Sequence, residues 1–362
     1  MSLSRRARAY AGFATRLLAS RLGGRHPFKL TVALTDRCDC RCRGCWIWKK
    51  PKETELTPGE CADLLSSVPS IRWVNLTGGE IFLRDDVPKI VEALCTAQPR
   101  LAVLDFPTTG QRTERILADV ATIAAMGIPR LLVTVSVEGP PDHHDRTRGR
   151  EGAFERMVAT FAGLRALDGV ESYLGMTLTR ENATRVEETL DAVNTRMPIA
   201  APSVDWADLH LNVYTRSPHY YGNLDSDVEA PEAHIEAIRR ARRVRERSAS
   251  PTDRIEATYL RLLPAYLRTG RSPLACRSLD ASVFVDARGD VYPCTVYGRL
   301  LGNVHEQSLA DILGGSEAEA ARSVIRADRC PGCWSPCEAN PTIVAHAPGS
   351  LVRGARDVRR RG

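Results

Sequence analysis

The strongest constraint in this sequence is where its cysteines lie. There are 11, of which four crowd into residues 38–45 as CDCRCRGC and five fall within 276–337, while Cys61 and Cys95 stand alone. An odd, clustered set is not the evenly spaced framework of a disulfide-stapled secreted domain. The N-terminus lacks the unbroken apolar core of a signal peptide, because Arg16 and Arg21 interrupt it. Thiols grouped in this way are expected to hold metal, and the chain reads as cytoplasmic.

With 362 residues, 43% hydrophobic and 26% charged, the chain has room for one large domain and a smaller one, and it is not a disordered chain. It has no apolar run of about 18 residues, so nothing reads as a membrane span. The net charge of +6 sits at the ends, in Arg5, Arg6, Arg8, Arg16, Arg21 and Arg25 and in Arg353, Arg356, Arg359, Arg360 and Arg361. Basic tails can bind nucleic acid or anionic lipid, but solvated ends are the plainer reading, and no specific nucleic-acid partner is expected.

Residues 8–22 place Tyr10, Phe13, Leu17, Leu18 and Leu22 at helical spacing before Gly23-Gly24, which predicts an amphipathic basic helix within a segment 1–27. Short apolar runs then alternate with helical patterns to about residue 215. The runs are Leu30–Leu34, Val74–Leu76, Leu101–Phe106, Leu131–Val137, Tyr173–Leu178 and Leu209–Tyr214. Helical patterns lie near 57–67, 86–97, 113–126, 152–167 and 183–195. Six strands alternating with helices predict an α/β fold with a parallel sheet or partial barrel over 28–225. A charged helical connector is expected over 226–270, punctuated by Pro251 and Pro264. A small cysteine-bearing domain spans 271–345, with a hairpin at Ala287-Arg288-Gly289-Asp290, a short helix near 308–325 and a cysteine-dense loop. The basic tail occupies 346–362.

Within the first cluster, Cys38-x3-Cys42-x2-Cys45 puts three thiolates on a loop directly after the first strand. Thiolates are the usual ligands of iron–sulfur clusters. Three ligands for a four-iron cluster leave one iron open, much as an open position serves substrate at a catalytic zinc. A structural zinc site and a redox dithiol are the alternatives, although no histidine stands near enough in sequence to complete a zinc site. If the loop alternates, Cys40 faces away from the other three and is a spare.

The spacing resembles the signature of radical S-adenosylmethionine (SAM) enzymes, and further landmarks follow in that family's order. Thr77-Gly78-Gly79-Glu80 looks like its Gly-Gly-Glu turn, with Ile81 where proline is usual and Phe82-Leu83-Arg84 after it. Thr108-Thr109-Gly110 follows the third strand. Ser136-Val137-Glu138-Gly139-Pro140 ends the fourth, and His144-Asp145-Arg146-Thr147-Arg148-Gly149 comes next, like the subfamily with extra C-terminal clusters. The resemblance implies that Gly78, Gly79 and Glu80 approach the methionyl amine of SAM, that Ser136 and Arg148 hold its carboxylate, and that Thr109 or Glu138 lies near its ribose. In that family the residue before the last cluster cysteine is usually bulky and touches the adenine. Here it is Gly44, with Trp46 following.

In the second cluster, Cys276 and Cys294 flank the hairpin, and Cys330-x2-Cys333-x3-Cys337 closes the segment. Two such pairs can make a four-thiolate site, with structural zinc as the alternative. The pattern resembles the SPASM/twitch extension. Five cysteines fit one auxiliary 4Fe–4S cluster, the twitch arrangement, on Cys276, Cys294, Cys330 and Cys333, with Cys337 able to replace one of them.

The implied fold is a partial (β/α)6 radical SAM barrel with a small C-terminal twitch/SPASM-like domain. The implied chemistry is reductive cleavage of SAM at a 4Fe–4S cluster to a 5′-deoxyadenosyl radical that abstracts a substrate hydrogen, with an electron donor such as flavodoxin or ferredoxin. Relatives of this kind often modify peptides, so oxidative modification or cross-linking of a peptide is the first expectation. A lipid or other small metabolite at the membrane surface is the alternative, met through the N-terminal helix. A non-catalytic iron–sulfur or zinc protein is the distant one. Asn212, Tyr214, Arg216, His219, Tyr220 and Tyr221 gather at the end of the sixth strand, where barrel sites open. Tyr214 and His219 are the catalytic candidates, and Tyr220-Tyr221 reads as packing under a loop.

Overall fold

The computed structural model describes residues 26–51, 54–232 and 235–346. The helix expected over 8–22 and the basic tail beyond His346 lie outside the described residues.

Six strands run parallel in chain order: β1 (Lys29–Thr35), β2 (Trp73–Gly78), β3 (Val103–Thr108), β4 (Arg130–Ser136), β5 (Val170–Leu178) and β6 (Leu209–Val213). Between them run the helices α1 (Pro58–Ser67), α2 (Val87–Ala97), α3 (Thr113–Ala125), α4 (Pro141–Arg148), α5 (Ala153–Arg165) and α6 (Val186–Arg196). The periodicity has a clear cause. Leu30, Val32 and Leu34, with Val74, Leu76, Leu104, Phe106, Val133 and Val135, alternate along their strands onto one face and join the helices in one buried core. The intervening positions, such as Lys29, Thr31, Asn75 and Asp105, fall on the opposite face.

The sheet does not close. Its order is β6-β5-β4-β3-β2-β1-β7-β8-β9. β7 (Ser282–Val285) pairs parallel to β1, and β8 (Asp290–Tyr292) and β9 (Gly302–Asn303) add antiparallel strands beyond it. The expected partial barrel is therefore present, and its free side is extended by the C-terminal hairpin.

Three helical features differ from expectation. After α7 (Glu236–Glu246), residues Pro251–Thr269 form one helix, α8, that runs through Pro264. The helix expected near 308–325 is two, α9 (Leu309–Gly314) and α10 (Ser316–Arg326), broken at Gly315. The cysteine-rich stretch ends in a helix, α11 (Pro336–His346), rather than running on as loop. Tertiary contacts support these proline-containing helices: Trp334 stacks on Tyr259 at 6.1 Å between centroids, and its Nε1 donates to the Tyr259 carbonyl at 3.1 Å. Among the described residues, no helix is long and apolar enough to cross a membrane.

Candidate functional site

The first cysteine loop leaves β1 at Thr35 and is held from two sides. On one side is the C-terminus of α4, whose last carbonyls have no partners within the helix. Arg41 N donates to Arg148 O at 2.7 Å and Arg43 N to Thr147 O at 3.2 Å. On the other is the Gly78-Gly79 turn at the end of β2. Gly79 N donates to Thr35 O at 2.7 Å and Glu80 N to Arg37 O at 2.8 Å. A Cβ on Gly78 would sit 2.2 Å from Thr35 O, and one on Gly79 would sit 2.0 Å from Arg37 O. The two glycines are thus required by the cysteine loop itself, a nearer reason than approach to a ligand.

Cys38, Cys40, Cys42 and Cys45 come together on this loop. Cys40 is fully buried and lies close enough to Cys38 and Cys42 for their thiols to shift its proton affinity. The expectation that Cys40 faces away fails, because the loop is turned rather than extended and does not alternate. The Cys38 thiol, then burial, raise the Cys40 pKa to about 12, and burial pushes Cys45 up to about 12. Countercharge comes from Arg148, which is 6% exposed. Its Nη1 donates to Cys42 Sγ at 3.4 Å and its Nη2 lies 2.9 Å from Glu138 Oε1. Its Nε has no hydrogen-bond partner, and no side-chain bond of the Ser136 hydroxyl exists among the described residues. Arg148 therefore offers an unused donor beside the cysteines, and Ser136 another at the end of β4.

The rest of the motif around Arg148 builds the loop. His144 is fully buried, and burial drops its pKa to about 2, so the ring is neutral. Its Nδ1 accepts from Glu138 N at 3.1 Å. Asp145 accepts from Gly152 N at 2.6 Å and Phe154 N at 2.8 Å, closing the N-terminal turn of α5.

Glu80 and Thr109 are placed differently from the other expected cofactor contacts. The buried Glu80 carboxylate accepts from Thr109 N at 2.6 Å, Thr109 Oγ1 at 2.7 Å and Thr108 Oγ1 at 3.0 Å. Both side chains are engaged with each other and tie the ends of β2 and β3.

Two further groups are not anticipated by any sequence motif. Asp105 takes hydrogen bonds from Trp73 Nε1 and Asn75 Nδ2 across the face away from the helices, and burial raises its pKa. A lone carboxylate in the run LAVLDFP is the available signal. Asn223, fully buried after β6, reaches back to Gly44, and no local pattern marks it.

Of the catalytic candidates, Tyr214 is 9% exposed and receives a bond from Asn223 Nδ2 at 3.0 Å. The His219 ring lies on Tyr292, 4.2 Å between centroids, with Nε2 bonded to Cys294 O at 2.9 Å. Tyr220 packs with Ala33, Ile47, Phe284 and Tyr292, and its hydroxyl meets Thr77 Oγ1 at 2.7 Å. Asn212 accepts from its neighbour Val213 N at 2.8 Å, and Arg216 donates to Ser226 O at 2.8 Å.

The C-terminal cysteines form a second group. Cys294 and Cys333 pack together with Val296. Burial raises the pKa values of Cys276 and Cys330, and both lie close enough to Cys294 for it to add to that rise. Two sulfurs already accept backbone N–H groups: Cys294 from Val296 at 3.4 Å and Tyr297 at 3.2 Å, and Cys276 from Ser278 at 3.5 Å. Such bonds favour a thiolate once it is formed. Cys337 stands differently. After burial, its strongest electrostatic partner is Lys29 on β1, whose Nζ donates to the Cys337 carbonyl at 2.8 Å.

Among the described residues, no three His, Cys, Asp or Glu side chains close around a single metal ion. The donor chemistry is instead that of soft thiols in two groups, one beside a buried guanidinium with a spare N–H, the other with N–H groups aimed at sulfur. It suits iron–sulfur clusters and, at the first group, an anionic ligand.

Comparison with known proteins agrees. Residues 32–193 match the radical SAM superfamily model, and residues 276–337 match the iron–sulfur cluster-binding domain called SPASM. The antilisterial bacteriocin subtilosin biosynthesis protein AlbA of Bacillus subtilis (strain 168) is 22% identical, over 85% of this chain and 67% of its own length. The AdoMet-dependent heme synthase of Methanosarcina barkeri (strain Fusaro / DSM 804) is 26% identical over 86% of this chain and 87% of its own. The crystal structure of Streptococcus suis SuiB bound to precursor peptide SuiA superposes with a TM-score of 0.57 at 14% identity, over 85% of this chain and 72% of that one. The chain belongs to the radical SAM superfamily, as an enzyme that uses S-adenosylmethionine and 4Fe–4S clusters and carries a C-terminal SPASM domain.

Proposed function

We propose that this enzyme carries out an oxidative modification or cross-linking of a peptide. The reading is supported by the bacteriocin-biosynthesis relative, similar along most of this chain, and by the second cysteine group, which gives an electron leaving the substrate somewhere to go. We assign Cys38, Cys42 and Cys45 to the cluster that binds SAM, and Cys276, Cys294, Cys330 and Cys333 to one auxiliary cluster, leaving Cys337 as a neighbour. The single observation that carries the SAM site is Arg148, buried against Cys42 with an unpartnered Nε.

The clusters and SAM supply the electron and the hydrogen-abstracting radical when bound. The protein's own groups do the rest. Arg148 offers its free N–H to the SAM carboxylate, together with the Ser136 hydroxyl at the end of β4. Glu138 neutralises one edge of that guanidinium and is itself fixed by neutral His144. Glu80 with Thr108 and Thr109 keeps the ends of β2 and β3 in register below the site.

The second reading is a small metabolite, favoured by the heme synthase relative, which matches over more of its own length. Co-expression with short peptides encoded beside its gene, followed by mass spectrometry, tests the first. Loss of a hydrogen pair from such a peptide supports it. An unmodified peptide together with turnover of a porphyrin precursor moves the assignment to the second. The electron donor expected is flavodoxin or ferredoxin. A membrane-surface role rests on residues 1–25 and is tested by vesicle co-sedimentation with and without them: equal behaviour removes it.

A further inference from the structure

One short segment after β6 touches both cysteine groups. At its far end, Asn223 Nδ2 donates to Gly44 O at 2.7 Å and to Tyr214 Oη at 3.0 Å. Next to it, Tyr221 O accepts from Trp46 N at 3.0 Å. The residues on both sides of Cys45 are thus bonded to this segment. Gly44 makes the contact possible, since a Cβ there would lie 2.7 Å from the Tyr214 ring. That explains a glycine where this family usually carries a bulky residue. In the middle, Tyr220 Oη meets Thr77 Oγ1 and lies 3.4 Å from Gly78 O, at the turn that holds the cysteine loop from the other side. At the near end, His219 bonds the carbonyl of Cys294 itself. A carbonyl only accepts, so Nε2 carries the proton.

The segment is braced as a unit. Asn223 Oδ1 accepts from Ser217 N at 2.8 Å and Ser217 Oγ accepts from Tyr220 N at 3.0 Å, with Ser217 and Asn223 both fully buried. Tyr220 also contacts Tyr221 at 4.6 Å and Phe284 of β7 at 5.2 Å. A braced piece whose anchoring residues Ser217, Tyr220 and Asn223 are buried, and whose two ends are bonded to backbone, cannot move at one end alone.

We infer that Ser217–Asn223 is a positioning strap that fixes the two cluster sites relative to each other, with Asn223 the positioning residue for Cys45 and His219 the positioning residue for Cys294. This rests on the cluster assignments above, so wild-type protein is measured first. After anaerobic reconstitution of the full chain, about eight iron per chain is expected from two four-iron clusters. About four overturns the two-cluster reading before any variant is made. Asn223→Ala is expected to keep its iron but bind SAM about tenfold more weakly, the effect of losing the buried bond to Gly44 O among those the side chain makes. The readout is the change that SAM produces in the electron paramagnetic resonance spectrum of the reduced first cluster. His219→Phe keeps the ring on Tyr292 and removes the donor. It is expected to shift the midpoint potential of the second cluster and also to weaken SAM binding several-fold, although His219 is bonded at the other site. His219→Gln, which restores a side-chain N–H, is expected to recover both. If His219→Phe retains eight iron with wild-type SAM affinity, the strap is refuted while the cluster assignments stand. The strap is refuted in the same way if His219→Gln behaves like His219→Phe.

Discussion

The two cysteine groups solve the same problem of placing buried thiols, and they do it in opposite ways. The first is a single loop gripped by a helix C-terminus, two glycines and the permanently charged Arg148. The second is assembled from three separate stretches, the approach to β7, the exit from β8 and the run before α11, with backbone N–H groups aimed at its sulfurs. A local loop with a fixed cation suits a site that must bind an anion repeatedly. A dispersed set suits one that holds its group and closes the fold around it.

The sharpest way to break this contrast is to remove each group in turn. Replacing Cys38, Cys42 and Cys45 with alanine is expected to abolish 5′-deoxyadenosine production and to lower iron from about eight to about four per chain. Replacing Cys276, Cys294, Cys330 and Cys333 is expected to remove a similar amount of iron while SAM cleavage persists. If product survives the first set, the assignment of the loop is wrong. Next in size is Gly79→Ala. Forcing a Cβ toward Arg37 O should cost on the order of 3 kcal/mol and lower the melting temperature; an unchanged melt would show that the loop is not gripped there. Arg148→Lys keeps the charge but loses the fork, and SAM binding should weaken about tenfold, with iron content intact. The smallest effect lies on α8, which supports the second region through Tyr259. Burial raises Glu256 to about 7 in the folded chain. A raised acid pKa means the folded state holds the proton more tightly, so wild-type stability should fall as pH rises from about 4.5 through 7 and level off above it. Glu256→Gln should flatten that decline in melts at pH 5 and pH 8.

Much of the barrel is legible because its apolar runs are buried on a parallel sheet and read without ambiguity, and the strands lie within a few residues of where those runs lie. The signature cysteines and Arg148 are legible because one loop and one helix end carry them. What escapes has specific physical reasons. Pro264 and Pro341 argue against helix locally, yet both sit inside helices, and the neighbouring Trp334–Tyr259 stack seats α8 near the start of α11. Cys40 is misplaced when a turned loop is treated as extended. Glu80 and Thr109 look like ligand contacts, and no pattern in sequence shows that they bond each other. Asn223 acts on Gly44 across most of the barrel, a pairing that periodicity cannot reveal.

β1 carries the first cysteine loop, yet it lies inside the finished sheet, bonded on one edge to β2 and on the other to β7. During synthesis the chain emerges from its N-terminal end, so the cysteines of the first site appear early beside a strand with one edge bare. That edge is sealed only when Ser282–Val285 arrives. Pairings this distant along the chain form late. The loop therefore reaches its final shape near the end of folding, and iron delivered to the nascent chain would meet an unfinished site. Maturation of this enzyme is expected to be a step for the released, full-length polypeptide, and truncation before β7 should leave the signature cysteines unable to retain a cluster, however intact their sequence.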